Sequence, residues 1–80
     1  MEFTSVVLYD GGLAHYSVST LDGKAFNAYL LLFTGDEQKS PPKHFEGTKV
    51  GRHWVGDTDR EDLLEDLGYD VSLHYKVTYN

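Results

Sequence analysis

The amino-acid sequence predicts an α+β fold, with a mostly antiparallel sheet of about five strands and one short acidic helix packed on one face. Three observations predict it. Turn residues divide the first part of the chain into short segments that are rich in β-branched and aromatic residues. Residues 59–67 carry leucines at helical spacing, and residues 69–79 alternate between apolar and polar with the period of a strand. The predicted order is β-β-β-loop-β-α-β within a single domain, residues 1–80.

The first part of the sheet is predicted to be a meander of three strands. These strands are the segments 3–9, 13–21 and 25–33. A glycine-rich turn follows the first strand, and Asp22 with Gly23 is the dipeptide most typical of a two-residue type I′ hairpin. That turn would place Tyr16 opposite Tyr29. The third strand is apolar on both faces, which predicts a central position in the sheet.

A long irregular loop is predicted at residues 34–48. Pro41 and Pro42 exclude a helix or a central strand around them. A loop of about fifteen residues is uncommon in so small a domain, and such loops are often functional. Residues 49–55 follow as a fourth strand, in which Gly51 marks a bulge.

The helix is predicted at residues 59–67. Thr58, with Glu61 three residues later, matches a capping box, and Gly68 suits the left-handed residue that ends many helices. The apolar stripe of the helix consists of Leu63, Leu64 and Leu67. Because so short a helix is marginal on its own, these leucines must dock on the sheet. Residues 69–79 then form the last strand, with one apolar face and one wet face.

The net charge of −6 is concentrated in one segment. Residues 57–70 hold seven acids and one arginine, whereas acids and bases are equal in number in the rest of the chain. Because no basic stripe is present to neutralise phosphates, direct binding to a nucleic acid is not expected. The complementary partner of such a segment is a basic protein surface, for example that of a nucleic-acid-binding protein.

Five of these acids are the predicted binding residues, and we call them the acidic ridge: Asp59, Glu61, Asp62, Glu65 and Asp66. Like charges four residues apart on a helix repel each other, and such a loss of stability often marks a functional surface. The sequence therefore predicts a small non-enzymatic protein-interaction module or inhibitor. His44 and Phe45 in the loop are expected to add contacts. Trp54 is expected to be an anchor if it is half exposed, and core filler otherwise.

A small enzyme or a metal-binding module is one alternative, and the motifs that would support it are incomplete. Asp57, Asp59 and Glu61 alternate as the first ligands of an EF-hand do. However, Asp62 and Gly68 stand where that pattern requires glycine and glutamate. The four histidines are far apart, and no nucleophile elbow, P-loop or dinucleotide fingerprint is present. The sequence therefore predicts no catalytic residue, no metal and no cofactor.

A second alternative is a structural β-rich domain that forms homodimers through an edge strand. The tyrosine-rich segment 69–79 is the expected edge. The sequence has no cysteine, no signal-peptide pattern in its first residues and no apolar run long enough to cross a bilayer. These features predict a cytoplasmic protein without a membrane partner.

Overall fold

A computed structural model describes residues 1–79, with side chains as far as residue 76. The elements are β1 (Glu2–Tyr9), β2 (Gly12–Ser19), β3 (Ala25–Phe33), a 3₁₀ turn (Glu37–Lys39), β4 (His44–Val50), β5 (His53–Gly56) and α1 (Glu61–Tyr79). Each strand pairs antiparallel with the next strand in the chain, so the sheet order is β1-β2-β3-β4-β5. The predicted α+β class, with a five-stranded antiparallel sheet and a helix on one face, is confirmed.

The core lies between α1 and one face of the sheet. Side chains alternate along each strand, so every second residue points towards the helix. The largest fully buried side chains are Tyr16, Val18, Phe45, Leu63, Leu67 and Val71. The Phe45 ring packs edge-on against Tyr16 and Phe26, at centroid distances of 5.3 and 6.0 Å. We call the opposite side of the sheet the open face, and its exposed apolar residues include Val6, Leu8, Leu13, Tyr29 and Leu32.

The predicted C-terminal strand at residues 69–79 is wrong, because α1 continues through this segment. Three fully buried residues recur every four positions, which is the spacing of one helix face: Leu63, Leu67 and Val71. Strand alternation would place Tyr69 and Leu73 on the buried face as well, but they are 65% and 44% exposed. The side chains of Val77 and Tyr79, which belong to the predicted pattern, lie outside the described residues.

Gly68 lies inside α1 and does not end it. A Cβ atom at this position would lie 2.3–2.4 Å from three atoms of the Trp54 indole. Glycine is therefore needed here because the helix backbone rests directly on the ring. The start of the helix also differs from the prediction. The helix begins at Glu61, and the Thr58 hydroxyl accepts the N–H of Arg60 at 3.3 Å rather than that of Glu61.

The connection between β2 and β3 is longer than the predicted two-residue turn. Tyr16 pairs with Leu30 rather than with Tyr29. The cause is local hydrogen bonding by Asp22, whose carboxylate accepts the backbone N–H groups two and three residues further on, at 2.9 and 3.2 Å. Aspartate commonly stabilises a wider loop in this way.

The fourth predicted strand is in fact a hairpin. β4 begins at His44, so the irregular loop covers residues 34–43 and not 34–48. Residues 49–55 span the end of β4, a turn and most of β5. Gly51 has a φ of +64° and occupies that turn, which explains why glycine stands there. The sheet therefore keeps five strands although the C-terminal segment is helical.

Tyr16 provides a test of this core at high pH. Its hydroxyl donates to the Pro42 carbonyl at 2.7 Å, and burial, with a smaller effect of Tyr9, raises the pKa of Tyr16 above its ordinary value of 10.0. Above that pH the unfolded chain loses the proton, whereas the folded chain keeps it. The free energy of unfolding is therefore expected to fall beyond about pH 10, by up to about 1.4 kcal/mol per pH unit.

Tyr16→Phe is expected to remove this part of the pH dependence. At neutral pH it should lower the free energy of unfolding by about 1 kcal/mol, because one hydrogen bond is lost. Urea unfolding from about pH 8 to about pH 11 measures both effects. Tyr29→Phe is the matched control, since Tyr29 is 54% exposed, and it should keep the wild-type slope. Equal alkaline slopes for both variants would contradict the assignment to Tyr16.

Candidate functional site

The acidic ridge lies on the turn that enters α1 and on the first turns of the helix. Asp59 precedes α1, Glu61 and Asp62 begin it, and Glu65 and Asp66 follow one turn later. Glu65 is half-buried, and the other four side chains are exposed. The helix has 19 residues, so the ridge occupies its N-terminal part, where the helix dipole favours negative charge.

Two carboxylates of the ridge are engaged inside the protein. Asp62 accepts hydrogen bonds from Nε and Nη2 of Arg60 at 3.0 and 2.9 Å, and these bonds hold the pKa of Asp62 below its ordinary value. Glu65 accepts the backbone N–H of Trp54 at 3.1 Å. The other three make no side-chain hydrogen bond or ion pair with the described residues: Asp59, Glu61 and Asp66. These three side chains are available to a partner.

Desolvation, and after it the surrounding negative charge, opposes the ionisation of Asp66. Desolvation raises the pKa of this carboxyl, and the charges of Asp62, Asp70 and Glu65 raise it further. A raised carboxyl pKa means that the folded protein disfavours the charged form. The ridge is therefore less stable than a dispersed arrangement of the same charges, as is common at functional surfaces.

The outer face of α1 combines these acids with apolar side chains. Four residues at helical spacing form what we call the outer stripe: Asp62, Asp66, Tyr69 and Leu73. The exposure of Tyr69 and Leu73 gives the stripe apolar area beside its charge. Sequence reasoning missed both residues because it placed them in a strand. The signal that identifies them is the helical spacing of the apolar residues, which continues beyond Gly68.

A groove lies beside the ridge, between β5 and the start of α1. Its volume is about 400 Å³, near the lower end of the range for ligand pockets. Its lining combines carboxylates with apolar side chains, including Asp59, Glu61, Glu65, Val55 and Leu64. A lysine or arginine side chain has the matching chemistry, because its apolar stem and its cationic head need both kinds of surface.

The apolar contacts predicted from the sequence do not join the ridge. Trp54 and Phe45 are 6% and 1% exposed, so both are core residues and neither offers a partner an exposed anchor. Trp54 is thus core filler, the alternative that the sequence left open, and Phe45 is a core residue of β4 and not part of a loop. His44 is exposed, but it lies on the open face, where its ring stacks on Tyr29 at a centroid distance of 4.4 Å. The five ridge acids thus lie together at the start of α1. Trp54 lies beside Glu65, but its ring is buried, and His44 lies on the open face.

The histidines also lie in different places. His44 is on the open face, Nδ1 of His53 lies 3.4 Å from Glu65, and the His74 ring stacks on Phe3 at 3.9 Å. Within residues 1–79, no group of three or more histidine or carboxylate side chains is arranged to hold a metal ion. Neither α1 nor the 3₁₀ turn, the helices of the described chain, combines the length and hydropathy of a membrane span.

Comparison of the chain with protein-family models, with curated proteins and with solved structures finds no match. The fold and the site define a small α+β protein that carries a cluster of carboxylates at the start of its helix.

Proposed function

We propose that the protein is a non-enzymatic interaction module or inhibitor that docks its acidic ridge on a basic surface of another protein. One observation carries the proposal. The net charge of the whole chain, −6, is also the net charge of residues 57–70, which surround the exposed start of α1. A charge cluster of this kind produces a local potential that speeds association with a surface of opposite sign.

The outer stripe supports a binding role because it has the composition of an interface. Interfaces combine an aromatic or apolar centre with a polar rim, and tyrosine is enriched among their dominant residues. Tyr69 is the exposed aromatic residue in line with Asp62 and Asp66, with Leu73 one turn further on. In this proposal Tyr69 takes the anchor role that the sequence suggested for Trp54.

The groove suggests how the partner is recognised. A lysine or arginine of the partner would enter between β5 and α1 and meet the carboxylates of Asp59 and Glu61. A nucleic-acid-binding protein fits this description, since its basic residues are arranged to meet phosphates. The cysteine-free composition suits a reducing compartment, and we take the complex to form in the cytoplasm.

Charge neutralisation without loss of the fold tests this function. The variant Asp59→Asn/Glu61→Gln/Asp66→Asn changes the three ridge residues that make no bond within the described chain. The matched control, Glu2→Gln/Glu37→Gln/Glu46→Gln, removes the same charge from exposed positions elsewhere. A partner is captured from cell extract with the wild-type protein and purified, and its affinity for all three proteins is measured at several salt concentrations.

The ridge variant is expected to bind at least about ten-fold more weakly at low salt, mainly through slower association, and the control to differ by less than about two-fold. Wild-type affinity should fall between about 0.05 and 0.5 M NaCl, because screening shortens the reach of the ridge. Equal loss in both variants, or an affinity indifferent to salt, would refute docking through the ridge.

A further inference from the structure

The two edge strands of the sheet, β5 and β1, differ in whether their outward backbone groups are already occupied. β5 is four residues long, and α1 packs beside it. The helix also contacts β1, but through Ser5 and Phe3 on the core face of that strand. In β5, the Trp54 N–H donates to the Glu65 carboxylate at 3.1 Å, so a helix side chain occupies a donor that a further strand would need. Proteins commonly protect sheet edges in this way against unwanted pairing. The β5 edge is therefore closed.

β1, the other edge, presents its backbone outward. Met1 and Thr20 exchange both backbone hydrogen bonds, at 2.8 and 2.9 Å. In an antiparallel pair the bonded residues alternate, so the odd-numbered residues of β1 bond to β2. Its even-numbered residues direct both N–H and C=O away from the sheet: Glu2, Thr4, Val6 and Leu8. The Asp10-Gly11 turn agrees, since positive φ values of 45° and 83° mark a two-residue hairpin flanked by a bonded pair.

The side chains of the outward residues are also suited to pairing. They lie on the open face, where Val6 is 48% and Leu8 is 72% exposed. Leu8 stands opposite Leu13 of β2, which is 42% exposed, so the exposed apolar surface of the open face continues from β1 onto β2. β1 contains no lysine, no proline and no register shift against β2, the usual devices that blunt an edge. The one charge on the strand is Glu2, at its end.

We propose that two copies of this chain pair through β1 in antiparallel fashion and form a continuous ten-stranded sheet around a two-fold axis. The axis at Val6 places each Thr4 opposite the partner's Leu8. Each Glu2 then stands opposite the partner's Asp10, beyond the end of β1, where Arg60 lies 3.5 Å from the Asp10 carboxylate. An axis at Ser5 would instead set the Glu2 carboxylate against a leucine. Between Thr4 and Leu8 the Val6 register therefore gives uncharged pairs of β-branched and apolar residues, and the charges stand at the two ends of the seam.

A second copy is favoured over a disordered peptide because it brings an ordered strand. An unstructured segment would lose conformational entropy on joining the edge, whereas β1 is already extended in the sheet. The seam is shorter than a standard protein interface, so the expected dissociation constant is of the order of 10 µM. This inference is independent of the acidic ridge, which lies on α1 and the turn before it.

Sedimentation velocity over a range of concentrations tests the dimer. The wild type is expected to form dimers. Thr4→Pro is expected to be a folded monomer, because it removes an outward N–H that β2 does not use. Thr4→Val keeps that N–H and should remain dimeric. A wild-type monomer at about 500 µM would overturn the proposal, as would a dimer that persists in Thr4→Pro.

A cross-linking experiment decides the case in which Thr4→Pro does not fold. The chain has no cysteine, so one introduced thiol reports on its own surroundings. Val6→Cys would place two thiols across the axis at a Cα separation of about 5.5 Å, within the range of disulfides. Val55→Cys is the matched control, since Val55 is 49% exposed on β5. Val6→Cys should form the linked dimer at least about ten-fold faster, and equal rates would overturn the proposal.

Discussion

Gly68→Ala is expected to lower the free energy of unfolding by about 2 kcal/mol, although alanine is the better helix former. The added Cβ would lie 2.3–2.4 Å from three atoms of the Trp54 indole, and something must shift to accept it. The indole cannot move easily, because it is buried against Phe26 at a ring distance of 5.4 Å. Overpacking of this kind costs about 1–3 kcal/mol. The gain in helix propensity is about 1 kcal/mol, so a steric cost of about 3 kcal/mol leaves a net loss of about 2 kcal/mol.

Urea unfolding of Gly68→Ala beside two further variants isolates the steric effect. Ser72→Ala makes a smaller gain in helix propensity at a half-buried position of α1 without adding an atom, and it should raise stability by about 0.5 kcal/mol at most. Trp54→Phe gives Gly68→Ala a smaller ring to pack on, so the double variant should lose less than the sum of the single changes. A Gly68→Ala protein more stable than the wild type would show that α1 does not rest on Trp54.

Val71→Asp is expected to unfold most of the protein, whereas Leu73→Asp should leave it folded. Val71 is fully buried in α1, and an unpaired carboxylate in that position costs several kcal/mol. That loss is comparable with the whole stability of a domain of this size, about 4–12 kcal/mol. Leu73 is 44% exposed on the outer stripe, so the same substitution there should cost about 1 kcal/mol of apolar burial and a few tenths of a kcal/mol of charge repulsion.

This pair of variants also tests the helical assignment of the segment. In a strand, residues 71 and 73 share one face, and both substitutions would be equally harmful. Circular dichroism and the dispersion of amide resonances measure how much folded protein remains. Similar damage by both variants would favour the strand pattern over α1.

The part of the fold that follows from local signals was predictable. The β-branched segments and the turn before Gly12 place β1 to β3 within one or two residues of their observed limits. These signals are sufficient because each strand pairs with its neighbour, and the turn residues between them dictate the reversals. The concentration of negative charge could also be read directly, since it needs no knowledge of the fold.

The helical state of residues 69–79 and the burial of Trp54 could not be predicted, because both depend on tertiary packing. Residues 69–79 alternate like a strand because Tyr69 and Leu73, two apolar residues, stand on the outer face of a helix. The periodicity cannot reveal that they are exposed until the sheet provides a surface for Val71. In the same way, Gly68 lets α1 pack directly on the Trp54 ring, and the ring is then too buried to serve as an anchor for a partner. From the sequence alone, a glycine one residue after Leu67 is equally typical of the residue that ends a helix and of a close contact inside one.

The sequential pairing of the strands has a consequence for how quickly the chain can fold. Each hairpin joins neighbours along the chain, so loop-closure entropy for the sheet is small and contact order is low. The exceptions are the contacts between β1 and α1. They include the Phe3–His74 ring stack and the hydrogen bond that the Ser5 hydroxyl donates to the Asp70 carboxylate, which joins positions 65 residues apart. Packing of α1 against β1 is therefore the folding step in which residues far apart in the chain must meet.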